Sequence, residues 1–212
     1  MPRRVNPRTK PRNTEATTRA LLEAGRRLFA ELGYEAATLE ALAEGAGVTK
    51  AMVRYHFEDK AGLYRAVLID SFDHIVAAIT PVRDAKLAPQ AKLARYIEAF
   101  AAALQERPQL GGLLVGDYAA GRIAKDKELV ASLVRLAATT RAILDEGRRA
   151  GAFAKVDPHL FHLWLVGSIA FFLSSQRFRD DVRDAPPLPG PAPTFERFVR
   201  LLQQIALKGL EN

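Results

Sequence analysis

Residues 38–57, TLEALAEGAGVTKAMVRYHF, concentrate the side chains of this chain that could engage a polyanion. On a helical wheel advancing by about 100° per residue, the stretch after Thr49 brings Val53 and Phe57 together, pointing inward with Val48. Ala51, Met52 and Tyr55 fall on the opposite side, flanked by Lys50, Arg54 and His56. A small apolar anchor with an outer face of small, aromatic and cationic groups suits a DNA groove better than bulk water. Lys50, Arg54 and Lys60 supply charge for phosphate oxygens, where release of condensed counterions provides most of the affinity. Tyr55 and His56 can donate to phosphates or base edges. The hydroxyls of Thr38 and Thr49, with the N–H groups of the helices they open, can hold a phosphate. Ala51 and Met52 offer only apolar contact, for example with a thymine methyl, so base specificity is not legible from this helix.

These groups need elements to position them. Thr38 is suited to cap a short helix from Leu39 to about Glu44, Gly45 and Gly47 end it, and Thr49 caps a second from Lys50 to about Phe57. Together they form a helix-turn-helix. Before it, a helix is expected from about Thr14 to Leu32, with Leu21, Ala24, Leu28 and Leu32 on one stripe, Leu22 and Phe29 beside it, and Gly33 at the left-handed stop. Asp59 caps a long helix from Lys60 to Thr80, halted by Pro81. Five more are expected over 90–107, 109–122, 127–150, 158–178 and 195–208, the prolines between Arg179 and Thr194 enforcing an extended connection. Alternating strand patterns are absent, and the fold class is all-α.

Thr17 to Val67 resembles the N-terminal DNA-binding region of TetR/AcrR-type transcriptional regulators. The resemblance rests on Leu28-Phe29 with Gly33-Tyr34, Thr38, the Ala43-x-x-Ala46-Gly47-Val48-Thr49-Lys50 turn, and Tyr55-His56-Phe57 followed by Lys60 and Leu63. It departs at Met52 and Arg54, where the family commonly has small or hydroxyl residues and a first tyrosine; arginine can still take a phosphate or reach guanine. After a basic arm (1–13), the resemblance implies a three-helix DNA-binding domain (14–61) and a larger helical ligand-binding and dimerisation domain (62–212). In the latter an inducer would bind among helices, and the last two long helices would form a dimeric four-helix bundle.

The sequence supports the bundle independently. Residues 158–178 are apolar nearly all round, and Phe195, Phe198, Val199, Leu202, Ile205 and Leu207 mark a second apolar helix; such a helix must be buried on more than one side. Leu160, Leu163, Gly167, Phe171, Phe198, Leu202 and Ile205 are the expected dimer contacts. A dimer would present its recognition helices to half-sites about 34–36 Å apart, or a multiple of that. Tyr96, Phe100, Leu104, Leu114, Tyr118, Leu136, Thr140, His162, Trp164 and Phe172 are the candidate pocket residues. Their chemistry, mostly apolar with a few polar anchors, points to a lipophilic or aromatic small molecule.

The charge of the chain is uneven. Of a net +7, five positive charges come from Arg3, Arg4, Arg8, Lys10 and Arg12, in a twelve-residue arm with three prolines and no acid. That arm is expected to be disordered when free and to follow the DNA backbone or enter the minor groove. Absence of cysteine excludes disulfides, cysteine-ligated metals and thiol catalysis. No run reaches the ~20 apolar residues of a membrane span, and no apolar segment follows the N-terminal charges as a signal peptide requires. A cytoplasmic protein is expected, without contact to a membrane.

No enzyme, metal site or cofactor is expected. His159 and His162 beside Asp157 lack a third ligand, and the aspartate is explained as a helix cap. Residues 165–170 lack the second glycine and the strand of a nucleophile elbow. The expected function is a dimeric, ligand-responsive repressor of a palindromic double-stranded DNA operator. The competing reading is a constitutive or architectural DNA-binding protein without an inducer, which a collapsed core between the middle helices would favour.

Overall fold

Caps and apolar spacings of three and four residues set the helix boundaries in the computed structural model, which describes residues 11–108, 110–119, 121, 125–181 and 193–211. The described residues are helical throughout, without strand, and divide into two compact units between Asp70 and Ser71.

The first unit contains α1 (Pro11–Ala36), α2 (Leu39–Gly45), α3 (Lys50–Phe57) and the beginning of α4 (Lys60–Asp84). Expected caps are present. Thr38 Oγ1 accepts from Ala41 N at 3.1 Å, Thr49 Oγ1 from Met52 N at 3.4 Å, and Asp59 Oδ1 from Gly62 N at 2.8 Å. Each satisfies an N–H that the helix itself leaves unpaired. Between α2 and α3, Gly47 takes φ +66°, and Val48 N reaches back to Ala43 O at 2.9 Å. Leu21, Phe29, Leu42, Val53 and Leu63 form the centre of this unit's core. α1 departs from expectation: it bends at Gly33 (φ +77°) and continues to Ala36, so the glycine redirects the chain rather than ending the helix, and Leu32 just before it is exposed.

The second unit contains the remainder of α4, then α5 (Pro89–Gln105), α6 (Leu110–Ala119), α7 (Lys127–Arg149), α8 (Pro158–Ser174), α9 (Gln176–Asp181) and α10 (Phe195–Gly209). α8 packs on α5, α6 and α7, while α10 lies against α5. Two boundaries differ from the sequence expectation. Pro81 lies inside α4 rather than ending it: Thr80 Oγ1 donates to Val76 O at 2.7 Å, and one further turn follows to Asp84. The helix expected to reach Phe178 breaks at Ser175, where Arg179 returns to donate to Phe172 O and Ser175 Oγ, each at 2.5 Å. α9 then carries helix into a segment expected to be extended, and residues 182–192 of that segment lie outside the described residues.

A buried cation joins three parts of this unit. Lys92 Nζ on α5 donates to both Glu146 carboxylate oxygens on α7, at 2.7 and 2.8 Å, and to Arg83 O at 3.1 Å. Gly147, in the middle of a helix, is required by packing: a Cβ there would overlap the Phe153 ring, whereas one at exposed Gly112 would meet nothing within 4 Å. Gly147→Ala is therefore expected to destabilise the protein by about 1–3 kcal/mol through overpacking. Gly112→Ala is expected to stabilise it by about 0.4–1 kcal/mol through loss of unfolded-state entropy. Chemical denaturation of the two variants measures both signs.

Candidate DNA-binding face and ligand cavity

In the first unit α3 turns Val53 fully inward and leaves Lys50, Ala51, Arg54 and Tyr55 exposed, Tyr55 to 77%; Met52 is half-buried at the edge of this face. Thr38 and Thr49 place their hydroxyls at the N-termini of α2 and α3, where unpaired N–H groups and the helix dipole favour an anion. The Lys50 ammonium pairs with exposed Glu40. An exposed pair is worth about 0–1 kcal/mol, so phosphate can replace that carboxylate at small cost.

Two expected contacts point inward instead. His56 faces α1, with Nδ1 within hydrogen-bond distance of Thr18 Oγ1 at 3.3 Å and Nε2 sealed without a protein partner among the described residues. Lys60 Nζ donates to the carbonyls of Tyr34 and Glu35 at 2.9 and 3.2 Å, and lies 4.5 Å from the centre of the Tyr34 ring. The ammonium thus binds carbonyls in the last turn of α1, beyond its bend. Tyr34 in turn packs with Phe29 and Tyr64, ring centres 4.8–6.1 Å apart. Arg3, Arg4, Arg8 and Lys10 lie outside the described residues, as does the side chain of Arg12.

In the second unit a cavity of about 190 Å³ opens among α4 to α8. Of the candidate pocket residues, Phe100, Leu104, Leu114, Leu136 and His162 line it. Tyr96 and Thr140 lie buried behind its wall in one hydrogen-bonded chain: Tyr96 Oη to Thr140 Oγ1 at 2.5 Å, and Thr140 Oγ1 to His162 Nδ1 at 2.8 Å. Burial raises the Tyr96 pKa, against the Thr140 hydrogen bond. Burial first, then the charge of His159, pushes His162 down to about 4, so its imidazole is neutral near neutral pH. The Tyr118 side chain lies outside the described residues.

Trp164 and Phe172 are elsewhere. Trp164 lines a more open groove between α8 and α10 with Leu160, Phe161 and Ile205. Phe172 stacks on Phe198, ring centres 4.1 Å apart and planes within 9°, beneath the Arg179 guanidinium. They sit on a side of α8 that its all-round apolarity could not distinguish from the cavity side. Sequence reasoning missed Phe72 and Ile75, which bring α4 into the wall, and assigned Leu163 and Gly167 to a dimer contact although both also line the cavity. The i, i+3 spacing of Phe72 and Ile75 was a readable signal for the α4 wall.

The expected dimer contacts divide by exposure. Leu160, Leu163, Gly167 and Phe171 form an exposed stripe on α8, Phe171 at 76%, and Ile205 is exposed on α10 with Leu201 beside it, a residue sequence reasoning did not single out. Leu202 is buried within the unit and Phe198 is half-covered by Phe172. Leu202 therefore belongs to the intramolecular core, because α10 turns it towards α5, while Phe198 keeps part of its surface exposed. Asp157 caps α8, accepting from His159 N at 2.7 Å and Leu160 N at 3.2 Å. Among the described residues no three metal-binding side chains converge, and no helix is long and apolar enough to cross a membrane.

Residues 21–67 match the bacterial regulatory proteins of the tetR family, and residues 86–172 match the tetracyclin repressor-like C-terminal domain, together more than half of the chain. The chain is 28% identical over 207 residues to the HTH-type transcriptional regulator RutR of Escherichia coli K12, covering 95% of this chain and 93% of that one. It is 29% identical over 161 residues to the HTH-type transcriptional activator FasR of Mycolicibacterium smegmatis, covering 74% and 69% respectively. The fold is shared with the TetR family regulator PfmR from Thermus thermophilus, at a TM-score of 0.70 and 24% identity over 91% of this chain and 99% of that chain.

The depressed His162 pKa has a consequence for stability. Between the ordinary value of 6.5 and the folded value of about 4, the unfolded chain binds a proton that the folded chain does not. Stability from this group is therefore complete above about 6.5 and falls as the pH drops towards about 4. The unfolding midpoint of wild type is expected to decline more steeply than that of His162→Phe over this interval, as thermal unfolding at a series of pH values would show.

Proposed function

The chain belongs to the tetR family of bacterial regulatory proteins, which are DNA-binding transcriptional regulators and not enzymes, and from this premise we propose that it is a ligand-responsive repressor. In this reading it binds a palindromic operator as a homodimer in the cytoplasm, occludes the promoter, and is released when a small lipophilic molecule fills the second unit. The observation that carries the reading is the cavity among α4 to α8. A DNA-binding protein without an inducer gains nothing from leaving that space open in its core, since unfilled apolar volume is destabilising.

Three features support the parts of the mechanism. The exposed face of α3 supplies Lys50, Arg54 and Tyr55 to the duplex, with Ala51 and Met52 offering apolar contact. The α8 stripe of Leu160, Leu163, Gly167 and Phe171, with Leu201 and Ile205, supplies an apolar surface that a second copy would cover. α4 carries Phe72 and Ile75 at the cavity wall and begins at Lys60, directly after the recognition helix, so it is the covalent route by which a guest changes the separation of paired heads. A ligand preferring the wrongly spaced dimer shifts the population away from DNA.

The deciding experiment selects an operator from a genomic DNA pool and follows transcription from it in vitro. Occupancy is expected to lower transcript, and a compound from a lipophilic small-molecule set to restore it; transcript that rises on occupancy, or an operator that no compound releases, refutes ligand-responsive repression. Arg54→Ala and Lys50→Ala are expected to weaken binding and each to flatten the slope of log affinity against log salt by about 1. Lys60→Ala is expected to lower the thermal stability of the DNA-binding unit with a smaller change in salt slope, because its ammonium is bound to carbonyls. Phe171→Glu and Ile205→Glu are expected to yield monomers by sedimentation, with operator affinity lost in parallel.

A further inference from the structure

Among the described residues lining the second-unit cavity, His162 is the one that brings a polar side-chain atom, and none is charged. The proton positions in its network follow from counting donors and acceptors. The Tyr96 hydroxyl is buried, and among the described residues its one partner is Thr140 Oγ1 at 2.5 Å. If Thr140 donated to Tyr96, the buried tyrosine proton would have no acceptor among the described residues, a loss comparable to a full hydrogen bond. Tyr96 therefore donates to Thr140, and the Thr140 hydroxyl is left to donate to His162 Nδ1 at 2.8 Å. With Nδ1 an acceptor and the ring neutral, the imidazole proton resides on Nε2. That N–H makes no hydrogen bond to a described residue, while the ring lines the cavity.

Among the described residues, the lining side chains thus present one hydrogen-bond donor, no acceptor and otherwise hydrocarbon. A cation or an ammonium donor finds no lone pair to meet. A carboxylate finds a single neutral N–H and no countercharge, far short of what offsets removing an anion from water. At about 190 Å³ the space is below the roughly 300–1,000 Å³ of pockets for drug-sized ligands, and a little above the roughly 150 Å³ of an apolar cavity known to take benzene. We infer that this cavity selects a compact uncharged molecule, one ring or a short chain in size, bearing a single acceptor oxygen such as a carbonyl that takes the His162 Nε2–H. The inference rests on the proposed reading of the cavity as the effector site. It adds a division of labour: Tyr96 and Thr140 are positioning residues that hold the tautomer, and His162 makes the contact.

Four probes of nearly one shape separate the alternatives: acetophenone, cumene, benzoate and 1-phenylethylammonium, titrated calorimetrically into the full-length protein near neutral pH. Acetophenone is expected to bind roughly twofold to tenfold more tightly than cumene, the value of one net hydrogen bond, with both charged probes weaker still. In His162→Phe the preference for acetophenone over cumene should vanish while cumene binding persists. Nitrogen-15 NMR of histidine-labelled wild type, which needs no variant to fold, should show His162 protonated at Nε2. Equal binding of cumene, tighter binding of either charged probe, or a proton on Nδ1 overturns the inference and leaves the cavity as an effector site. Failure of all four probes also overturns it, whereas the proposed function falls on the separate operator experiment, if occupancy raises transcript or no compound releases the operator.

Discussion

The burial demand of α8 organises the regulatory half of the molecule. From Pro158 to Ser174 its residues are apolar on nearly every side, and a helix of that kind cannot rest on a surface. Its requirement is met in parts: Phe161, Leu165, Ile169 and Leu173 are buried within the unit, and Gly111 on α6 lets the helices approach so closely that a Cβ there would come within 2.9 Å of the Ala170 Cβ. One side is left against a cavity, and the Leu160 to Phe171 stripe is left exposed. The same helix therefore borders both features on which the proposed regulation turns, and Leu163 and Gly167 belong to both. A guest that presses on these residues acts on the surface proposed to pair two copies.

Polar groups in the DNA-binding unit are sorted by how firmly they are already held. Lys50 is exposed and paired with exposed Glu40, an interaction worth little against water. Lys60 is half-buried, bound to two carbonyls and to an aromatic face, and its withdrawal would expose the end of α1. His56 engages Thr18 through one ring nitrogen. Three cationic or polar side chains within eleven residues thus have different availability to a phosphate, and residue type alone does not reveal it.

Legibility in the sequence followed locality. Caps at Thr38, Thr49, Asp59 and Asp157 could be read because a capping side chain bonds to N–H groups two or three residues ahead. The helix period identified Val53 as the anchor of α3 for the same reason. Errors arose where a distant group decided the outcome. Leu32 fits the α1 stripe but becomes exposed at the bend of Gly33, and the end of α8 is set by Arg179 folding back on Phe172. Leu202 looked like an interface residue until α10 was placed against α5. Trp164 and Phe172 could not be assigned a side, because an all-round apolar helix has no readable inner face.

By itself the sequence determined the all-helical class, the helix-turn-helix with its cationic outer face, and the existence of a strongly apolar helix needing partners on several sides. Each depends on residues within a few turns of one another. Tertiary structure alone decided which apolar residues surround empty space and which surround each other, and it joined Tyr96, Thr140 and His162, 44 and 22 residues apart, into one hydrogen-bonded chain. The physical reason is that helix periodicity records that a face is buried, whereas packing between helices decides what that face is buried against. The hydrogen-bond partner of a single imidazole, on which the proposed choice of guest turns, depends on that second decision.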